Sequence, residues 1–86
     1  MGERYRLVVK NGEMHLLLDE FFDKDCGSLH KTFSGKLVTR NWFGGNYELE
    51  DISGWFSSGQ KYRFKKPNGE QGTLVKSGGS YEYIPD

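Results

Sequence analysis

The dipeptide Asn11-Gly12 is the feature that most limits how this chain can fold. It lies between residues 4–10 and 13–19, which carry apolar side chains at alternate positions, and Asn-Gly in that setting is the strongest short-range signal for a β-hairpin. A two-residue turn fixes the register and gathers the apolar residues on one face. The predicted pairs on that face are Tyr5 with Leu18, Leu7 with Leu16 and Val9 with Met14.

The last third of the chain predicts a three-stranded meander over residues 60–66, 71–77 and 80–84. The segment Pro67-Asn68-Gly69 suits a type I turn with glycine in the left-handed position, and Gly78-Gly79 suits a second tight turn. The side chains that this register turns inward are Tyr62, Phe64, Leu74 and Tyr83.

The segments between these two regions give weaker signals. Residues 19–24 fit a short helix with Phe21 and Phe22 on one side, and Gly27 would end it. Ser34-Gly35 marks either a turn or a bulge within one bent strand.

A helical spacing relates Leu49, Ile52, Trp55 and Phe56. It predicts one short helix or 3₁₀ turn near residues 51–58 and places Trp55 and Phe56 in the core.

Composition sets the fold class. The chain has 86 residues, 12 glycines and no alanine, and its aromatic set is six Phe, five Tyr and two Trp. This composition is unfavourable for a helix bundle and favours sheet. We expect one mainly β domain over residues 1–86, a barrel or sandwich of antiparallel hairpins with about six or seven short strands. The longest apolar run, residues 16–18, is too short to span a membrane.

The charge and the cysteine content indicate the kind of partner and the compartment that suit the protein. Twelve basic and twelve acidic residues give a formal net charge of zero. The signs are segregated, which suits a protein that meets a partner through complementary patches, and neutrality also favours self-association. The lone Cys26 cannot form an internal disulfide, and no secretory signal is visible, so we expect a cytoplasmic protein and consider a homo-oligomer.

Catalytic and metal-binding motifs are weak. Cys26 and His30 are four residues apart beside an acidic segment, but one cysteine and two histidines are too few for a structural zinc site. No spacing pairs Cys26 with a base, so we expect a free thiol in a loop, no enzyme activity, no metal and no cofactor.

The leading functional hypothesis rests on the aromatic segment 41–47. Three large rings surround Gly44-Gly45, and acidic residues follow them. Exposed Trp and Tyr rings near a loop tip commonly anchor protein interfaces. Alternatively, one or more of the three rings plug the end of the barrel. The predicted partner-binding residues are Trp42, Phe43, Tyr47, Glu48, Glu50 and Asp51. We therefore expect a small inhibitor or regulator of a larger protein, of the type found in phages and other mobile elements.

The alternative hypothesis is a nucleic-acid-binding β-barrel that uses the basic strand 61–66. In a strand, alternation turns the basic residues to one face and Tyr62 and Phe64 to the other, so the cations would contact phosphates without stacking rings beside them. The residues predicted for this role are Lys61, Arg63, Lys65, Lys66 and Lys76.

Overall fold

Eight antiparallel strands, joined in chain order, form a closed barrel in the computed structural model, which describes residues 2–39 and 45–86. The strands are β1 (Arg4–Lys10), β2 (Glu13–Leu18), β3 (Lys24–Lys31), β4 (Leu37–Thr39), β5 (Glu48–Asp51), β6 (Lys61–Lys65), β7 (Gln71–Ser77) and β8 (Ser80–Pro85). β8 pairs with β1 and closes the ring. The predicted fold class is confirmed, as a barrel and with eight strands.

Both predicted strand registers are confirmed. β1 and β2 pair as the two-residue turn requires, with Tyr5 opposite Leu18 and Leu7 opposite Leu16. Asn11 and Gly12 both have positive φ, as a two-residue hairpin of this type demands. In the meander of β6, β7 and β8, the expected cross-strand partners again face each other.

The interior of the barrel is filled by rings. Phe64 is fully buried, and its ring centroid lies 4.9 Å from that of Tyr5, 5.5 Å from that of Tyr83 and 5.6 Å from that of Tyr47. Leucines from several strands complete this packing, as expected for a barrel whose interior is just wide enough for side chains. The buried leucines of this core are Leu16, Leu18, Leu29, Leu49 and Leu74.

Connections between antiparallel neighbours alternate between the two ends of the barrel. We call one end the Trp55 end; it holds the connections 11–12, 32–36, 52–60 and 78–79. The other is the Phe21 end, with residues 19–23, 45–47 and 66–70. Contacts agree with this division: Tyr81 Oη donates to the Gly59 carbonyl at the Trp55 end, and Lys66 pairs with Glu3 at the Phe21 end.

Two predictions for the connections are wrong. Residues 19–23 form bends and no helix, because the Asp19 amide donates to the Arg4 carbonyl at 2.7 Å and β3 begins at Lys24. Trp55 and Phe56 lie in solvent and not in the core. The predicted short helix or 3₁₀ turn near residues 51–58 is confirmed as a 3₁₀ turn over Trp55–Ser57, but the helical spacing misplaces its two rings because Leu49 belongs to β5.

Two further expectations are resolved. Ser34-Gly35 lies in a turn between β3 and β4, where the Gly35 amide donates to the Thr32 carbonyl at 3.0 Å. Cys26 lies in β3 with its thiol buried, so the expected free thiol belongs to a strand and not to a loop.

The 3₁₀ turn is the one helical element within residues 2–39 and 45–86. Over that part of the chain, no helix has the length and apolar character needed to cross a membrane.

Candidate functional site

The carboxylate of Asp51, at the end of β5, organises the connection 52–60. It accepts hydrogen bonds from the Ser53 amide at 2.9 Å, the Ser53 hydroxyl at 2.5 Å, the Gly59 amide at 2.8 Å and the Ser58 hydroxyl at 3.0 Å. The hydrogen bonds from Ser53 are the largest cause that lowers the pKa of Asp51 to about 2. This residue therefore holds both ends of the connection together.

Ser53 forms a second anchor for the same connection. Its Oγ accepts hydrogen bonds from the amides of Gln60, at 3.1 Å, and Lys61, at 2.8 Å. Its carbonyl accepts from the Ser57 hydroxyl at 2.6 Å. Gly54 begins the 3₁₀ turn with φ 85°, a conformation that L side chains rarely adopt. The backbone of the connection is thus fixed by hydrogen bonds rather than by burial.

The largest side chains of this connection face water. Trp55 is 95% exposed and Phe56 is fully exposed, and no residue of the 3₁₀ turn is buried. Phe33, in the neighbouring connection 32–36, is also fully exposed, and Ile52 is about half exposed. We call Phe33, Ile52, Trp55 and Phe56 together the Trp55 surface.

Two recesses open beside the Trp55 surface. One, of about 200 Å³, lies between the connection 32–36 and the ends of β5 and β6, and is lined by Lys31, Gly35, Leu37, Leu49, Asp51 and Tyr62. The other, of about 390 Å³, lies on the outer side and is lined by Ile52, Ser53, Ser57, Gln60, Lys61, Val75 and Lys76. Neither lining contains a cysteine or histidine for nucleophilic chemistry.

The Trp55 end is basic. Lys31, Lys61 and Lys76 lie at this end and form no ion pair with any described residue. Lys36 also lies there, with its Nζ 3.9 Å from a carboxylate oxygen of Glu48. Of the acidic residues at this end, Glu13 is exposed beside the turn 11–12, and Asp51 is surrounded by the donors of its own loop. Positive charge is therefore exposed next to exposed rings.

The predicted partner-binding residues do not form one cluster among those that the structure describes. Trp42 and Phe43 lie outside the described residues. The Tyr47 ring stacks on Phe64 at an interplanar angle of 24°, and burial raises the pKa of its hydroxyl to about 12. Tyr47 thus packs inside the Phe21 end, whereas Asp51 lies at the opposite end.

The two remaining acidic residues of that prediction lie on the outer face of β5. Glu48 is paired with Lys36, and Glu50 is exposed. Both also face the basic strand β6, because Glu48 is opposite Lys65 and Glu50 is opposite Arg63. Their charges are directed to a neighbouring strand of the same molecule.

The cations predicted for nucleic-acid binding are partly neutralised by ion pairs. Arg63 donates to both carboxylate oxygens of Asp86, at 2.8 and 2.5 Å. Lys66 contacts the carboxylates of Glu3 and Glu70, and its Nζ lies 4.4 Å from the centroid of the Tyr83 ring. Burial opposes the charged form of Lys66, but these carboxylates outweigh it and raise its pKa.

Lys61, Lys65 and Lys76 of the same set have no ion-pair partner among the described residues, and all three are exposed. Lys61 and Lys76 line the outer recess, while Lys65 lies farther along β6. The structure therefore separates the predicted basic row into free and paired members.

A metal or thiol site receives no support within the described residues. No group of three His, Cys, Asp or Glu side chains there is arranged to hold a metal ion. Burial raises the pKa of the Cys26 thiol, which makes it a poor nucleophile. The carboxylate of Asp25 accepts hydrogen bonds from the Gly27 amide at 2.9 Å and from the Lys10 ammonium at 3.1 Å.

Sequence reasoning missed Phe33, Trp55 and Phe56 as surface residues. A phenylalanine directly before the Ser34-Gly35 turn was the available signal for Phe33, because a tight turn at a barrel end seldom points toward the interior. No comparable signal existed for Trp55 and Phe56.

Comparisons of the chain with models of known protein families, with curated proteins and with solved structures give no match.

Proposed function

We propose that this protein is a non-enzymatic protein-binding module that contacts a larger protein through the Trp55 surface. The observation that carries the proposal is the connection 52–60, in which Asp51 and Ser53 fix the backbone while Trp55 and Phe56 stand in water. A role as a cytoplasmic inhibitor or regulator, of the kind that phages and mobile elements encode, fits the small size and the buried, unpaired Cys26.

Fixed rings suit this role for an energetic reason. Trp and Phe rings bury about 150–250 Å² each on binding, and residues of this kind act as anchors at the centre of interfaces. A loop that is already ordered does not lose further backbone entropy when the partner binds. Because both rings are exposed in the free protein, they gain little stabilisation from burial until a partner covers them.

The proposal is tested by affinity capture from cells that contain the partner. The wild-type bait is compared with W55A/F56A and with a matched control, F21A/F22A, which removes two exposed rings from the opposite end. We expect the partner to bind the wild type and the control, and to bind W55A/F56A at least about thirtyfold more weakly, the loss typical of a hot-spot truncation. Equal capture by all three baits would refute the proposal.

The substitution Asp51→Ala tests whether the ordering of the loop before binding contributes to affinity. This change keeps both rings but removes the acceptor of four hydrogen bonds. We expect about tenfold weaker binding of the captured partner, because the loop must then be ordered on binding at a cost of about 1.4 kcal/mol. Unchanged affinity would show that the hydrogen bonds of Asp51 have no part in recognition.

Nucleic-acid binding is the second candidate, and one arrangement favours it. Lys61 and Lys76 line the outer recess together with Ile52. Ile52 belongs to the connection that also carries Trp55 and Phe56. Cations next to exposed rings are what a single-strand binding surface uses. Fluorescence anisotropy with a single-stranded oligonucleotide separates the candidates: salt-sensitive binding that K61E/K76E abolishes would favour nucleic acid, whereas partner capture that survives nuclease would favour protein.

A further inference from the structure

The connection between β2 and β3 carries a second pair of exposed rings. Phe21 is 94% exposed and Phe22 is 79% exposed. The two rings contact each other edge to face, with centroids 4.9 Å apart, and neither belongs to the buried core. The two rings project from the Phe21 end, and the rest of the described barrel does not cover them.

These two rings lie within an acidic segment. Asp19 and Glu20 precede the two rings and Asp23 follows them. Arg6 contacts the carboxylates of Asp19 and Asp23 and so ties the segment to the outer face of β1. Glu20 is exposed and forms no ion pair with the described residues. We call residues 19–23 the acidic knob.

The acidic knob and the Trp55 surface are complementary. The knob presents two rings beside the unpaired carboxylate of Glu20 and beside two carboxylates that share the single cation Arg6. The Trp55 surface presents rings at the end that carries the unpaired cations Lys31, Lys61 and Lys76. They lie at opposite ends of the barrel, since β2–β3 and β5–β6 connections leave alternate ends of the meander. One molecule cannot bring its own two surfaces together, but two copies can.

We propose that copies of this chain associate head to tail, with the acidic knob of one copy seated on the Trp55 surface of the next. The contact joins two different surfaces, so each copy keeps one free knob and one free Trp55 surface, and association continues until a ring closes or an open chain grows. The inference goes beyond the proposed function, because it needs no other protein. It also implies that a partner bound at the Trp55 surface competes with self-association.

The size of the contact sets its strength. Five rings that bury about 150–250 Å² each amount to roughly 750–1,250 Å², a range that ends close to the lower limit of about 1,200 Å² for stable interfaces. We therefore expect weak association, with a Kd between about 1 μM and 1 mM. Salt weakens it, because raising ionic strength from about 0.05 to 0.5 M shortens the Debye length from roughly 14 to roughly 4 Å.

Sedimentation velocity on four proteins tests the inference. The wild type is compared with F21A/F22A, with W55A/F56A and with Ile84→Ser, a control that changes an exposed apolar residue on the outer face of β8. Circular dichroism confirms that each variant folds. We expect the wild type and Ile84→Ser to form species larger than a dimer as concentration rises, and each double variant alone to remain monomeric.

Mixing the two double variants gives the decisive measurement. F21A/F22A keeps an intact Trp55 surface, and W55A/F56A keeps an intact acidic knob, so an equimolar mixture should form a one-to-one dimer that cannot grow. A wild type that stays monomeric at a concentration of about 1 mM overturns the inference, because about 1 mM is the weakest Kd that we expect for this contact. So does a double variant that still associates alone, or a mixture that contains monomers only.

Discussion

The substitution Gly72→Ala tests the packing inside the barrel more sharply than any other single change. Gly72 lies in β7 opposite Phe64, in the interior. A Cβ added there would lie 2.5 Å from the Ile84 carbonyl oxygen and 2.5 Å from Cε1 of the Tyr83 ring. The first of these neighbours is backbone, so the added methyl group cannot be accommodated by a side-chain rotation alone. β8 and the Tyr83 ring must both shift.

The expected cost follows from this geometry. Overpacking a well-filled core typically costs about 1–3 kcal/mol, and a clash with backbone places Gly72→Ala near about 3 kcal/mol. An unfolding entropy of roughly 2.1 cal/mol/K per residue gives about 0.18 kcal/mol/K for this chain, so we expect Tm to fall by about 17 °C.

Gly79→Ala is the matched control. No heavy atom lies within 4 Å of a Cβ added at Gly79, so this variant should stay within about 1 kcal/mol of the wild type. Thermal and urea unfolding, followed by circular dichroism, measure both variants. If Gly72→Ala differs from Gly79→Ala by less than about 1 kcal/mol, the close packing of β7 against Tyr83 is wrong.

Two further predictions concern titration. Burial is the largest cause that raises the pKa of every tyrosine in the chain. Ultraviolet absorbance should therefore detect little phenolate near pH 10 until the barrel unfolds, and the free energy of unfolding should decline as pH rises above 10. A native protein whose tyrosines are half ionised at pH 10 would contradict this. The pKa of Asp51 is about 2 in the folded state against an ordinary 3.8, so its contribution is present above pH 3.8 and is lost as pH falls toward 2. Urea unfolding should therefore show a smaller acid-induced loss of stability for Asp51→Asn than for the wild type, and equal losses would exclude this role.

The parts of the fold that the sequence predicts are those with local causes. Asn11-Gly12 fixes the register of β1 and β2, and Gly78-Gly79 fixes that of β7 and β8, because a tight turn leaves one pairing that keeps the apolar residues on one face. Closure of the ring is different. The pairing of β1 with β8 joins residues at opposite ends of the chain, and no turn chemistry reports it.

The candidate site could not be predicted because exposure depends on how much volume the interior offers. Tyr5, Phe64 and Tyr83 fill the centre of the barrel, and Tyr47 and Tyr81 pack into the same core from its two ends. The interior is then filled, and the rings of the connections stay outside it. A count of aromatic residues cannot identify which rings are left over. The spacing of Trp55 and Phe56 resembles a buried helical face, but their connection is stabilised by Asp51 through hydrogen bonds alone.

Every strand of the closed ring has a neighbour on each side. Within the described residues, β1 and β8 pair at only two positions, but no strand has a completely free edge, so the barrel is a poor acceptor for an added peptide strand. Under the proposed function, binding then depends mainly on side chains in the connections, which can change in length and content while the hydrogen-bonded ring is preserved. Changes confined to these short connections would alter the choice of partner without altering the strands of the barrel.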